Sequence, residues 1–226
     1  MAELLGDRAR AAMCAGLLDG RYWTATELAS VAGLPQATVA RRLAPLVACG
    51  AVDLLKPGRS SYFALAGPQA AVDVAASTAG IRSAPDWIAP GRKPPTGASR
   101  QLRAGRTCYD HLAGQLGVTV TDLLIASGVI TAGFCPGDPT PLAPLSLTVP
   151  AASSRPAVRP CVDWTERRRH AAGALPAALV RRMIELGWLR RPGEYRAIQL
   201  TERGLAGLAD LLPGARPALA GFPVLA

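Results

Sequence analysis

A mainly α fold with small β-hairpins, of the α+β class, is predicted by three observations on this 226-residue sequence. Apolar residues recur at helical spacing in several short stretches. Those stretches stop at glycine. Short apolar segments bracket turns that contain Pro-Gly. The length suits one or two domains with a core large enough to fold unaided. Half of the residues are apolar and 18% are charged, a globular composition and not a disordered one. No unbroken apolar run reaches the roughly 18 residues of a membrane helix. The first ten residues mix Glu3, Asp7, Arg8 and Arg10 among apolar ones, unlike a signal peptide. A soluble cytoplasmic protein without a membrane partner is therefore expected.

The N-terminal third supplies most of the elements. Leu4, Leu5, Ala9, Ala12, Met13, Leu17 and Leu18 follow helical spacing, and Asp19-Gly20 ends that helix. Thr24 and Glu27 have the spacing of a capping box for a second helix, about Ala25 to Val31. Gly33 stops it in a tight turn. Pro35 fits the first turn of a third helix, whose inner face is Val39, Leu43, Leu46 and Val47. Pro45 is expected to kink this helix and Gly50 to cap it. The segments Ala51 to Leu55 and Tyr62 to Leu65 flank a turn over Lys56 to Ser61 and predict a hairpin. Helix, helix, tight turn, helix and hairpin, in that order, make a winged helix-turn-helix.

Such a unit reads DNA with the N-terminal part of its third helix in the major groove. Gln36, Thr38, Arg41 and Arg42 are the outward positions there, and Lys56 and Arg59 lie at the wing tip. Gln pairs with adenine and Arg with guanine. Thr suits a phosphate or a thymine methyl, and the wing suits phosphates or the minor groove. A formal charge of +9 agrees with a double-stranded DNA partner.

The segments Leu5-Gly6-Asp7-Arg8-Ala9-Arg10, Thr26-Glu27-Leu28-Ala29, Gly33 to Leu43 and Tyr62-Phe63-Ala64-Leu65 resemble the ArsR/SmtB family of bacterial transcriptional regulators over about residues 1–80. The resemblance implies a homodimer that binds an operator, often as a repressor, and is released by an inducer, frequently a metal ion. It also favours dimerisation through the Ala/Val-rich stretch after Pro68. The Cys-Val-Cys type of motif of arsenic sensors is missing from the second helix, which reads Ala-Thr-Glu-Leu-Ala-Ser-Val-Ala.

Residues 1–82 form the expected DNA-binding and dimerisation domain. A linker rich in Pro and Gly follows over 83–103, with Trp87 as a possible anchor, and a sensor domain over 104–226. That last part contains a repeat. Arg106-Thr-Cys108-Tyr-Asp110-His111-Leu-Ala-Gly114 matches Arg159-Pro-Cys161-Val-Asp163 with His170-Ala-Ala-Gly173. The second copy carries six extra residues, Trp164 to Arg169. Each copy is expected to run helix, glycine stop, then strand or wing, so that two repeated winged-helix-like units share one domain.

The only two histidines of the chain fall at equivalent places in the copies. Cys108, Asp110, His111, Cys161, Asp163 and His170 are thus candidate ligands for Zn or another transition metal, with Cys108 and His111 on one face of a helical turn. Two other readings stay open. Each Arg-x-Cys-x-Asp could be a helix start with a buried Cys and an Asp cap. Alternatively, Cys108 and Cys161 could form a thiol switch tuned by Arg106 and Arg159. The five cysteines are odd in number and scattered, which argues against a disulfide scaffold and for buried thiols, ligands or redox sensors. The basic run Arg167-Arg168-Arg169 is either a flanking DNA contact or a solvated face. No Walker loop, nucleophile elbow or HExxH occurs, so no catalytic residue is expected. The sequence thus predicts a DNA-binding regulator controlled by a metal or ligand at its C-terminal domain. The alternatives are a thiol-based redox regulator, or a ligand-binding protein whose helix-turn-helix makes protein contacts.

Overall fold

The computed structural model describes residues 3–78, 100–149, 154–192 and 196–225. Trp87 and most of the expected linker lie outside them. The chain divides into two compact units, Met1–Pro94 and Pro95–Ala226.

In the first unit the stretch expected as one helix is three pieces. A 3-10 turn spans Leu4–Gly6, α1 spans Arg8–Gly16, and a second 3-10 turn spans Leu17–Asp19. Asp7 causes the break. Its backbone is extended, and its carboxylate accepts the Arg10 N–H at 2.8 Å, capping α1. The strand β1, Trp23–Thr24, was not expected, because two residues carry no periodic signal. Helix α2, Ala25–Ala32, starts with the box that the spacing predicts. Thr24 Oγ1 accepts the Glu27 N–H at 3.3 Å, and Glu27 accepts the Thr24 N–H at 2.8 Å. Gly33 is left-handed (φ 63°) and turns the chain into α3, Gln36–Ala48. Pro35 sits at the N-cap of α3 and not inside its first turn.

Helix α3 runs on through Pro45. The proline forfeits one backbone bond, but Leu43 and Leu46 beside it are fully buried and hold the helix against the core. β2, Val52–Leu55, and β3, Tyr62–Leu65, pair antiparallel with Val52 opposite Leu65, and β1 joins the other edge of β3. Helix α4, Pro68–Ser77, completes the unit. Met13, Cys14, Leu17, Leu28, Val39, Leu43, Leu46 and Phe63 form a core in which none is exposed. The unit is a winged helix-turn-helix.

The second unit opens with α5, Arg100–Ala104. It then contains two hairpins, each followed by a helix. β4, Arg106–Cys108, and β5, His111–Ala113, are antiparallel and lead into α6, Gly114–Ala126. β6, Arg159–Val162, and β7, Arg169–Ala172, are antiparallel and lead into α7, Ala174–Glu185. The Arg-x-Cys segments are therefore strands, not helix starts, and Cys108 and His111 do not share a helical turn. After α7, β8, Leu189–Arg190, pairs antiparallel with β9, Gln199–Thr201, as the wing-like reading expects. Helices α8, Glu202–Leu211, and α9, Ala215–Leu219, follow, and β10, Val224–Leu225, adds to β9 in parallel.

After α6 there is no such wing among the described residues. Thr140–Leu145 is a 3-10 helix, and Leu147-Thr148 lies outside any strand. The prolines at 136, 139, 141 and 144 lack the N–H a ladder needs. Leu116, Ile130, Met183, Leu189, Ile198 and Leu200, all nearly inaccessible, centre this unit's core.

Gly114 and Gly173 make the bend from hairpin to helix, at φ 77° and 116°. A Cβ on Gly114 would lie 2.6 Å from the Arg103 carbonyl oxygen, and one on Gly173 would lie 2.7 Å from that of Ala157. Both positive φ and backbone proximity exclude a side chain. Gly173→Ala is expected to cost about 2–4 kcal/mol of stability. An unchanged Tm in thermal unfolding would refute that account of the bend.

Candidate metal centre and candidate nucleic-acid interface

Each hairpin of the second unit sets a cysteine directly opposite a histidine. Cys108 faces His111 in the β4–β5 ladder, and Cys161 faces His170 in the β6–β7 ladder. Opposite residues of an antiparallel pair project to the same face. With β5 packed on β7, the two Cys/His pairs converge. His111 Nε2 and His170 Nε2 are 3.2 Å apart, and the rings stack with centroids 5.1 Å apart. One ligand atom from each of Cys108, His111, Cys161 and His170 lies within 4.8 Å of all the others. His111, Cys161 and His170 are buried, while Cys108 is half-buried. Tetrahedral zinc, with Zn–N near 2.0–2.1 Å and Zn–S near 2.3 Å, separates its ligand atoms by about 3.3–3.8 Å. The four side chains fit such an ion with little adjustment.

The thiols influence each other. The neighbouring Cys161 thiol holds the Cys108 thiol well below its ordinary pKa, helped by His111 and His170 against burial. Cys108 in turn, with burial, pushes Cys161 up. Arg106, expected to tune these thiols, is turned to Asp163 instead. By contrast, Cys14 belongs to the first unit's core, and burial pushes it up to about 12. Cys49 and Cys135 are exposed.

The two aspartates named as candidate ligands stand outside this cluster and differ from each other. Asp110 lies in the turn of the first hairpin, 47% exposed. It accepts both guanidinium nitrogens of Arg155, one at 2.8 Å, and its Oδ1 is 3.5 Å from His111 Nδ1. The Arg155 hydrogen bond lowers its pKa to about 2.

Asp163 is wholly buried. It accepts from Arg106 Nη2 (2.7 Å), the Gly114 N–H (2.6 Å), the Thr165 N–H (2.8 Å) and the Glu166 N–H (3.0 Å). Burial pushes its pKa up, but the Arg106 charge and these donors hold it far below the usual carboxylate range. Arg106, 2% exposed, also donates to the Leu102 carbonyl and stacks on Trp164 at 4.8 Å. Asp163 thus joins the second hairpin's loop to β4 and to the start of α6. No local sequence signal announces a pair 57 residues apart.

In the first unit, α3 buries Val39, Leu43 and Leu46 and exposes Gln36 and Arg41. The side chains of Gln36, Arg41, Lys56 and Arg59 form no hydrogen bond or ion pair among the described residues, and Lys56 and Arg59 stand exposed on the β2–β3 turn. Thr38 is half-buried, and its hydroxyl donates to the Pro35 carbonyl at 2.8 Å. The guanidinium of Arg42 turns back to the Asp7 carboxylate and so ties α3 to the start of α1. In the second unit, the Arg167–Arg169 run is engaged within its own surroundings. Arg168 pairs with Asp122 at 3.0 Å, and Arg169 lies over the Phe134 ring.

The chain is 31% identical over 216 residues to the uncharacterized HTH-type transcriptional regulator YdfF of Bacillus subtilis (strain 168), covering 90% of this chain and 92% of that protein. Reduced HlyU from Vibrio cholerae N16961 is similar to 32% of this chain and 75% of its own, at 22% identity and a TM-score of 0.30. No family model matches the chain.

Proposed function

We infer that this chain, which belongs to the HTH-type transcriptional regulators, acts as an ArsR-like repressor whose grip on an operator is controlled through its second unit. The observation that carries the DNA reading is the two-sided build of α3. Val39, Leu43 and Leu46 lock one face into the core, while Gln36 and Arg41 stand on the other with no internal partner among the described residues. Gln and Arg are the side chains that pair bidentately with adenine and guanine in the major groove. Lys56 and Arg59 on the wing take backbone phosphates. Thr38, whose hydroxyl is engaged by the Pro35 carbonyl, offers its methyl to a thymine methyl from the same helix end. Arg42 supports α3 from behind through Asp7. A second copy docks on α4, where Val72, Ala75 and Ala76 are exposed. The control element is the buried Cys/His cluster of the second unit. A thiol-based variant of this control is favoured by one observation, the convergence of Cys108 and Cys161.

Footprinting of the full chain on genomic DNA tests the reading. A protected, two-fold-symmetric segment with half-sites one helical turn apart is expected for a dimer. Absence of any protected segment would overturn it and leave the helix-turn-helix as a protein-contact module.

A further inference from the structure

We propose that Cys108, His111, Cys161 and His170 form a closed Cys2His2 site for one zinc-class divalent ion, with Asp110 and Arg155 orienting His111 from behind. The proposal names the ligand class for the controlling unit and rests on the reading above only for its regulatory meaning.

Four features of the cluster carry it. First, two imidazoles are buried with their Nε2 atoms 3.2 Å apart, so that two ring nitrogens able to ligate face each other in the interior. An ordinary core would place apolar groups there. A cation between the Nε2 atoms gives both rings a role. Second, the two thiols reach the same point from separate hairpins, completing four donors of the soft and borderline kind that select zinc over magnesium or calcium. Third, the charges balance. Two thiolates, two neutral imidazoles and a divalent cation sum to zero, so the loaded centre adds no net charge to the interior. Cys108, half-buried, gives the ion a way in from solvent.

The fourth feature lies behind the ligands. Asp110 Oδ1 is 3.5 Å from His111 Nδ1 and is clamped by both nitrogens of Arg155. A metal-bound histidine commonly donates its other N–H to a carboxylate, which fixes the ring and raises its basicity. Asp110 is placed for that task and is a positioning residue, not a ligand. The site offers four protein donors and no open position, so it holds an ion and supplies no catalytic water.

The test uses the full chain, purified under reducing conditions without chelator. Elemental analysis is expected to find one zinc per chain that survives gel filtration. Replacement by Co2+ should give thiolate-to-cobalt charge-transfer absorption and the intense visible bands of tetrahedral cobalt. Both should disappear in Cys108→Ser with Cys161→Ser and persist in Cys49→Ser with Cys135→Ser, which removes only exposed thiols. Asp110→Asn should weaken metal affinity about 10–100-fold while leaving the band shape unchanged. Because the double serine variant could fail to fold, alkylation of the wild-type chain provides a second measurement. In the loaded protein Cys108 and Cys161 should resist the reagent until a chelator is added, whereas Cys49 and Cys135 react at once.

The proposal is overturned if supplied Zn2+ and Co2+ leave no stoichiometric ion bound. It is overturned equally if Cys108 in the loaded protein alkylates as fast as Cys135, or if dioxygen in air-saturated buffer oxidises the reduced chain to a Cys108–Cys161 disulfide in preference to zinc binding. Operator affinity is measured separately with and without zinc. A loaded site with unchanged operator affinity would sink the control reading and leave the metal site standing.

Discussion

Asp163→Asn is expected to lower the stability of the second unit by about 3–5 kcal/mol, because it strands a buried guanidinium without its counter-charge. Arg106 is 2% exposed and has no route to water. The amide cannot replace the ionic partner, and the acceptor shared by the Gly114 N–H is weakened as well. Adding Arg106→Met should restore part of the loss, since the double variant buries no charge. Chemical denaturation of the four proteins of this cycle measures the coupling. Equal stability of wild type and Asp163→Asn would show that the pair holds nothing together.

The pair also sets an acid limit. The Asp163 carboxyl is depressed in the fold relative to its unfolded value of 3.8. Its contribution is therefore complete above that value and is lost as the pH falls below it toward the folded pKa. Asp163→Asn should flatten the stability profile in that acidic range and leave it unchanged in shape near neutrality.

The second large effect concerns α3 and the wing, which should fail in different ways. On the proposed groove reading, Gln36→Ala with Arg41→Ala should weaken the cognate operator by about 2–6 kcal/mol while sparing scrambled duplex. On the same reading, Lys56→Ala with Arg59→Ala would remove two phosphate contacts. It should weaken both duplexes alike and reduce the slope of log K against log salt by about 2. Anisotropy titrations at several salt concentrations distinguish these outcomes. A Gln36/Arg41 variant that keeps its cognate-to-scrambled ratio would remove α3 from the groove.

The legible parts of this molecule are the local ones. Thr24 and Glu27 are three residues apart and announce their own cap. Gly33, and the turn between Leu55 and Tyr62, mark changes of direction that few other residues permit. The Cys/His quartet was legible as a set of residue types, because both histidines fall at one place in a repeated pattern. Its geometry was not, since facing positions across a two-stranded ladder and neighbours on a helical turn share the same short spacing. The aspartates show the limit most clearly. Asp110 and Asp163 occupy matching positions after Cys-x, yet one lies in a tight exposed turn and the other is sealed inside. The six extra residues after Asp163 give the second loop room to fold back and wrap its carboxylate with N–H donors. Likewise, Arg42 reads as a groove contact until Asp7, 35 residues away, claims it.

The way the quartet is assembled has a kinetic consequence. Its two imidazoles are separated by 59 positions along the chain, so a nascent or denatured polypeptide offers an ion only one hairpin's worth of donors at a time. Were an ion held by all four, its capture would wait until the large intervening loop has closed, a step whose entropy grows slowly with loop length. An occupant that arrives this late would slow the escape from the native state and leave the speed of reaching it almost untouched.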